Sequence, residues 1–446
     1  HGVPEMQPGN LSKRIPLPVL SGRALSQSAL RVGSTRLLGP VSAFILAMLL
    51  TNTLGASASG IFFASLAVVM LLSVAAKAGL ETALQKLIGR ELGTDKRALV
   101  RGIYRKAVRI STFLALIITG CSYLLAGKMS IWLFDDASYT EILRLLTLLV
   151  LPLTLLGINA AALKAIGNPA QGSFLESSAW PVISIVVLTG YLLHTPGELT
   201  GFAVASVVAA CIAVILSFLA IRQVLNIHDT SVSEPDRGIF GICVPLLGVE
   251  LINFAMIWVP LITLPVLADP SEAGLYSIAQ RLGAQLAMLL LVFTSITSPQ
   301  FAAHFHNGRH GEMVTLAGRT TRRLLAFSFL PAAILLIWPQ PVLGIFGDEF
   351  TQAATALRIL VVGQMFHLLT GPSGYLLAMS GHEKALNMTL VLSLFCLILL
   401  LLILSPEYGA TGAALAATTA LVLNKLMCVF LAARNLQIPM LLVLAR

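Results

Sequence analysis

The residues most able to do chemistry in this sequence are ionisable side chains inside long apolar stretches. Arg281 lies about nine residues, or roughly 13 Å, from one end of its stretch, and Glu250 about eleven residues, or roughly 16 Å, from an end of another. Lys77 and Glu81, four positions apart, share a third stretch, and Lys425 lies in a fourth. A charge at the centre of a bilayer costs roughly 2.5–3.5 kcal/mol, so such groups face a protein interior or a wet cavity.

These residue types predict two kinds of site inside one cavity. Four cations are the candidates for binding an anionic group: Arg281, Lys77, Lys425 and, at the start of the first apolar stretch, Arg36. Two carboxylates, Glu250 and Glu81, are the candidates for carrying a coupling proton or Na⁺. Because the deep charges lean basic, the cavity is expected to be predominantly cationic.

Each of these residues also has a structural interpretation. Arg281 could pair with Glu250 as a bridge between helices, and Lys77 with Glu81 as a local pair one helical turn apart. Lys425 could extend to the membrane surface, and Arg36 could serve as a topology anchor. The sequence alone leaves these alternatives open.

The composition identifies the elements that must position these groups. Hydrophobic residues make up 57%, charged residues 11%, and the mean hydropathy is +0.88. Globular chains contain about 25% charged residues, so this composition predicts a membrane protein. The net charge of +9 does not indicate nucleic-acid binding, because the basic residues lie between apolar stretches.

Twelve apolar stretches have the length of a transmembrane helix, which predicts an all-α integral membrane protein. The first six lie near residues 33–54, 60–86, 107–134, 141–165, 172–193 and 199–224. The second six lie near residues 239–267, 273–302, 320–345, 352–380, 384–405 and 409–433.

The two sets repeat each other. Leu54–Phe62 recurs about 214 residues later as Leu267–Tyr276, a period too long for a solenoid. Six passes return each set to the same side, so the repeats run parallel around an axis along the membrane normal. The predicted divisions are a tail (1–32), a six-helix bundle (33–225), a linker (226–238), a second six-helix bundle (239–434) and a tail (435–446).

The loops predict the orientation. Those on one side are rich in Lys and Arg, whereas the opposite loops carry acidic residues such as Asp136, Glu198, Asp269 and Glu349. Excess Lys and Arg marks the cytoplasmic side, so both termini are expected in the cytoplasm. The opposite loops are short, which leaves no room for a catalytic domain there.

Sites of other kinds have little support. The five cysteines lie singly in apolar stretches, and His304, His306 and His310 have no regularly spaced carboxylate partner, so no metal site is predicted. The sequence has no phosphate-binding glycine loop and no Ser–His–acid set in a loop. We therefore expect neither a cofactor nor a catalytic site.

Several short motifs resemble polysaccharide-export flippases of the Wzx type. They are Arg36 with Leu54–Gly55 and Gly60–Phe62, then Gly79–Lys86, then Ala273–Ser277 with Gln280–Leu282, and Thr297–Gln300. Thr51–Asn52 departs from the pattern, since many members have a basic residue before Leu-Gly. The resemblance extends over essentially the whole chain, and among the candidate site residues it reaches Arg281 best.

This resemblance implies the exporter superfold in which two six-helix bundles form a V around a central cavity. It also implies a flippase of the bacterial inner membrane that moves undecaprenyl-pyrophosphate-linked oligosaccharide to the outer leaflet. We expect this flippase to work by alternating access and ion coupling, with a polysaccharide polymerase and glycosyltransferases as partners. The alternatives are a cation-coupled multidrug exporter of the same superfold and a lipid II flippase. A membrane enzyme such as a polymerase would need a longer outward loop.

Overall fold

The structure, a computed structural model, describes residues 22–91, 97–195, 197–225, 239–306, 310–371 and 383–436, together with Ser373 and Leu377. The first half consists of α1 (Gly22–Lys77), α2 (Leu80–Glu91), α3 (Arg97–Phe134), α4 (Thr140–Thr147), α5 (Val150–Ala165), α6 (Pro169–Phe174), α7 (Trp180–Leu192) and α8 (Leu199–Leu225). A short 3₁₀ turn (Ala137–Tyr139) precedes α4, and a π-helical turn (Leu175–Ala179) joins α6 to α7.

The second half is also helical over its described residues. It consists of α9 (Ile239–Leu267), α10 (Pro270–His306), α11 (His310–Ile337), α12 (Pro339–Gly344), α13 (Ala354–Leu369) and α14 (Glu383–Leu436). A 3₁₀ segment (Asp348–Ala353) precedes α13. The structure assigns no β-strand to any described residue. The predicted linker 226–238, the tail up to residue 21 and the tail after residue 436 lie outside the described residues.

Nine helical stretches of the described chain are long and apolar enough to cross a membrane. Two of them, Leu38–Lys77 and Ala385–Arg434, contain a sharp kink at a glycine with positive φ, Gly55 (φ 73°) and Gly409 (φ 52°). Each of these two makes two passes, and α10, which has 37 residues, adds one more. The twelve predicted spans are therefore present in an all-α membrane fold.

Two consecutive left-handed residues interrupt the second predicted span. The stretch 60–86 was expected to form one helix, but α1 ends at Lys77 and α2 begins at Leu80. Ala78 (φ 51°) and Gly79 (φ 72°) both adopt the left-handed conformation, which cannot continue a right-handed helix. In the second half, α10 runs without a break through the corresponding positions, about 214 residues later.

Buried polar pairs help to hold the first half together. Asn159 of α5 accepts a hydrogen bond from the Tyr104 hydroxyl of α3 (2.9 Å) and donates one to the Ser217 hydroxyl of α8 (2.8 Å). Within a bilayer the hydrophobic effect does not drive one helix onto another, so such interhelical bonds and close backbone contacts determine packing. Asn159 is fully buried and thus has a structural role, as expected for most intramembrane amides.

The two halves meet tightly at the end of the molecule that carries the acidic loops, which we call the acidic-loop end. Gly60 of α1 packs on the backbone of α10 at Pro270, and Gly274 of α10 packs on the backbone of α1 at Ala56. These glycines are equivalent in the sequence repeat. A Cβ atom on either would collide with a carbonyl oxygen of the other helix.

Polar contacts reinforce this closure. Glu349 accepts a hydrogen bond from the Ala56 N–H (2.8 Å), just after the kink at Gly55, and the Asn52 amide donates to the Ile345 carbonyl oxygen (2.9 Å). Phe44 also meets Phe346 edge to face, with ring centroids 4.8 Å apart. Each contact joins α1 to the second half.

Candidate functional site

A cavity of about 550 Å³ lies between the two halves. Helices α1, α2, α5 and α7 and the π-helical turn of the first half supply most of its wall, and α9 and α10 of the second half close it. Ligand pockets commonly have volumes of roughly 300–1,000 Å³, so this cavity is large enough to hold a ligand. Four residues predicted from the sequence line it: Lys77, Glu81, Glu250 and Arg281.

Arg281 crosses from the second half toward the first. Its guanidinium carbon lies 4.6 Å from the centroid of the Phe63 ring of α1. Within the described part of the chain it takes part in no ion pair, so the proposed bridge to Glu250 does not form. Stacking on an aromatic face leaves the N–H groups at the edge of the guanidinium plane available to an acceptor. Arg281 is thus a half-buried cation in the cavity wall.

Lys77 is already paired. Its ammonium donates to a Glu81 carboxylate oxygen at 2.9 Å, and both side chains are largely shielded from solvent. The pair bridges the interruption at Ala78–Gly79, so it joins the last residue of α1 to the first turn of α2. Of the two alternatives that the sequence left open, the local pair is the one that forms, but without the intervening helical turn.

The other cavity carboxylates have different partners. Glu250 of α9 accepts a hydrogen bond from the Thr82 hydroxyl of α2 at 2.6 Å, which links the two halves. Glu176, in the π-helical turn, pairs with Lys164 of α5. π-Helical turns are rare and occur frequently at functional sites.

These positions correct the expected charge of the cavity. Its described lining contains three carboxylates, Glu81, Glu176 and Glu250, and two cations, Lys77 and Arg281. The expectation of a predominantly cationic lining is therefore wrong, since the described acids outnumber the described cations. The charged groups of the cavity instead differ in their partners. The carboxylates contact side chains of neighbouring helices, whereas Arg281 stacks on an aromatic ring and pairs with no described carboxylate.

Aromatic and aliphatic side chains complete the wall. Trp180, Phe254 and Trp258 line the cavity with Leu66 and Met70. Trp180 uses its indole N–H to donate to the Ser206 carbonyl oxygen of α8 (3.2 Å), which fixes the ring in place. The site therefore combines large apolar surfaces with a few charged groups, as small-molecule sites usually do.

One predicted site residue does not line this cavity, and the side chain of another is not described. Lys425 of α14 is not among the cavity's lining residues and lies near enough to His367 of α13 to act on it electrostatically. The side chain of Arg36 lies outside the described part of the chain, as do those of His304, His306 and His310. No group of three metal-ligating side chains occurs among the residues that the structure describes.

Sequence reasoning missed several residues that shape the site. Phe63 and Gly157 lie in apolar runs with no distinguishing signal, and Glu176 lies close to the start of the predicted span 172–193. Only the Ala78–Gly79 dipeptide offered a cue, because glycine inside a helical pattern lowers helix propensity by about 1 kcal/mol.

A family of proteins described as "polysaccharide biosynthesis protein" matches residues 29–304 of this chain. This range covers more than half of the sequence and includes Lys77, Glu81, Glu250 and Arg281. No curated protein matches the chain closely enough to count as a relative.

Three solved structures with similar folds are distant from this chain in sequence. An inward-facing multidrug resistance transporter of the MATE family, within the MOP superfamily, aligns with a TM-score of 0.75 at 14% identity, over 91% of this chain and 98% of that one. The lipid II flippase MurJ in an inward closed conformation gives 0.70 at 14% identity, over 94% and 90%. The MATE multidrug transporter DinF-BH, solved as a complex, gives 0.67 at 16%, over 98% and 99%. At these identities the similarity establishes the exporter fold alone.

Proposed function

The chain belongs to the polysaccharide biosynthesis protein family, as the resemblance to Wzx-type exporters predicted, and we propose that it is a flippase for lipid-linked oligosaccharide. The cargo would be an undecaprenyl-pyrophosphate-linked oligosaccharide that moves from the cytoplasmic to the outer leaflet by alternating access. The membrane would be the bacterial inner membrane. The end of the molecule opposite the acidic loops, which we call the basic-loop end, would lie in the cytoplasm.

The observation that carries this proposal is the position of Arg281. A guanidinium that stacks on Phe63 and has no carboxylate partner among the described residues, in a cavity between the two halves, is suited to a diphosphate. Arg presents several N–H donors in a planar arrangement that matches phosphate oxygens. Lys77 lines the same cavity and would supply a second positive charge. Lys425 and Arg36 remain predicted contributors to substrate binding.

Ion coupling is the second part of the proposal. Glu250 is partly buried and bonded to Thr82 across the two halves, so a proton or Na⁺ at this carboxylate would change a contact between them. Glu81 is the less favoured carrier, because Lys77 already neutralises it. If Glu250 carries the ion, Glu250→Gln should make transport independent of an imposed proton or sodium gradient.

Leaflet transfer in reconstituted vesicles tests the function. The purified protein would be reconstituted with a fluorescent polyprenyl-diphosphate-linked sugar, and a membrane-impermeant quencher would report how much label reaches the opposite leaflet. We expect transfer well above that of protein-free vesicles. A protein that fails to move this lipid would contradict the proposal.

The three cavity carboxylates favour one competing function, the export of an organic cation. The same vesicles, loaded with a cationic dye in place of the lipid, separate the two. Dye transport without lipid transfer would establish the multidrug exporter, and transfer of lipid II in preference to a shorter lipid-linked sugar would establish the lipid II flippase.

A further inference from the structure

The Lys77–Glu81 pair lies at a break between two helices, where no regular turn fixes its geometry. Lys77 is the last residue of α1, Glu81 lies in the first turn of α2, and Ala78 and Gly79 between them have left-handed backbone angles. A left-handed alanine is uncommon and costs of order 1–3 kcal/mol, so the surrounding structure must maintain this break. The salt bridge is one of the contacts that can do so.

A glycine on α5 leaves the space that the pair occupies. A Cβ atom on Gly157 would lie 2.6 Å from Lys77 Cε, 2.7 Å from Lys77 Nζ and 3.4 Å from Glu81 Oε2. The ammonium therefore rests on the backbone of α5, and any larger residue there would displace it. Since Gly157 lines the cavity, this displacement would move the ammonium relative to the cavity wall.

Glu81 would not become an isolated charge if Lys77 left it. It lies in the first turn of α2, where the helix dipole favours a negative charge, and the Lys164–Glu176 pair brings a further cation to the wall of the same cavity. Removing one member of a buried pair is destabilising when the other is left uncompensated, and these two features reduce that cost. Lys77 can thus change partners.

We propose that Glu81 is a built-in counter-ion that stays paired with Lys77 until an anionic headgroup enters the cavity. Glu81 thereby sets the affinity of the cavity for that headgroup. The headgroup, held at Arg281, replaces Glu81 as the partner of Lys77. The inference rests on the proposed function, because it takes a diphosphate as the ligand of this cavity. In this exchange a carboxylate, that of Glu81, controls the affinity for an anionic substrate.

Equilibrium binding of geranyl diphosphate to the purified full-length protein tests this exchange. Glu81→Gln frees Lys77, so we expect binding that is roughly tenfold tighter than in the wild type, equivalent to about 1.4 kcal/mol. Lys77→Gln should weaken binding. The double variant should bind like Lys77→Gln alone, because Glu81 acts only through Lys77.

Glu176→Gln is the matched control. It also removes one carboxylate from the cavity. This carboxylate, however, forms its salt bridge with Lys164 and not with Lys77. If it tightens binding as much as Glu81→Gln does, or if Glu81→Gln still tightens binding when Lys77 is absent, the effect is general electrostatics and the exchange is wrong. Unchanged or weaker binding by Glu81→Gln also overturns it.

Gly157→Ala provides a test that changes no charge and keeps the proposal falsifiable if Glu81→Gln fails to fold. The added methyl displaces the Lys77 ammonium from Glu81 toward the cavity, so binding should again tighten. Weaker or unchanged binding would count against the exchange. If the wild type does not bind geranyl diphosphate at all, the proposed function itself fails; if it binds through Arg281 but ignores Glu81 and Gly157, only the exchange fails.

Discussion

Gly60 and Gly274, which are equivalent residues of the two halves, pack reciprocally where α1 and α10 cross. Gly60 lies against the Pro270 carbonyl and Gly274 against the Ala56 carbonyl, so the same contact is made twice about the repeat axis. Close backbone approach through small residues is a common way for membrane helices to associate. Because this contact joins one half to the other, it should control whether the acidic-loop end is closed.

Gly60→Ala and Gly274→Ala should open the acidic-loop end. The added Cβ collides with a backbone oxygen that cannot move aside, and overpacking of this kind typically costs about 1–3 kcal/mol. Ala56→Cys, in a protein without its native cysteines, provides a thiol that is buried when the end is closed. We expect faster labelling of this thiol in both variants. Gly120→Ala, at a position with nothing within 4 Å, is the control and should label like the parent.

Arg281→Gln should abolish binding of geranyl diphosphate and leaflet transfer. Loss of a charged partner from a desolvated site typically costs about 2–5 kcal/mol, which lowers affinity by roughly thirtyfold or more. Arg281→Lys keeps the charge but loses the planar donors, so it should retain only part of the affinity. Arg144→Gln is a matched control, since Arg144 also stacks on an aromatic ring, Tyr123, but is exposed and outside the cavity. Wild-type affinity in Arg281→Gln would refute this assignment.

Glu349→Ala should separate the halves at the acidic-loop end. It removes the acceptor of the Ala56 N–H, and a hydrogen bond to a charged group contributes about 1.5–3 kcal/mol. Glu272→Ala removes a similar bond, to the Ala410 N–H, within the second half. Both variants should lower the melting temperature, but only Glu349→Ala should increase labelling of Ala56→Cys. Equal labelling of the two variants would show that Glu349 does not join the halves.

Thr82→Val should loosen the contact between α2 and α9. The hydroxyl donates to Glu250, and Gly79 nearby packs on the backbone at Cys243 and Leu247. Cys243 is buried and so provides a native reporter when the other four cysteines are replaced. Its reaction with a thiol reagent should accelerate roughly tenfold or more, in line with about 1.5–3 kcal/mol for one hydrogen bond to a charged group.

Thr154→Val is the control for this prediction. Thr154 donates to the Ser73 carbonyl oxygen inside the first half, so its loss should leave Cys243 protected. If Thr82→Val also leaves Cys243 unreactive, the hydrogen bond to Glu250 does not hold α2 against α9.

Much of the fold followed from local sequence. Apolar stretches of sufficient length predicted the membrane helices, and the repeated glycine motifs predicted that Gly60 and Gly274 are equivalent. The deep charges Lys77, Glu81, Glu250 and Arg281 were correctly expected to face an internal cavity, because the bilayer gives a charge few other places.

The partners of those charges could not be predicted, because they depend on packing between residues far apart in the chain. Glu349 and Ala56 are separated by 293 positions, and the acid appeared in the sequence only as a marker of topology. The pairing of Arg281 with Phe63 rather than Glu250 likewise depends on how α10 is placed against α1. The balance of charge in the cavity follows from Glu176, which a π-helical turn directs inward.

The interruption at Ala78–Gly79 makes the duplicated architecture unequal. In the first half it divides a membrane-spanning helix, whereas α10 continues through the equivalent positions as one unbroken helix. An exact twofold motion would require a bend in both copies. Conformational exchange at the basic-loop end should therefore be asymmetric, because one half can bend at this position and the other rotates as a rigid body. The two halves are thus similar in architecture but differ in their motion.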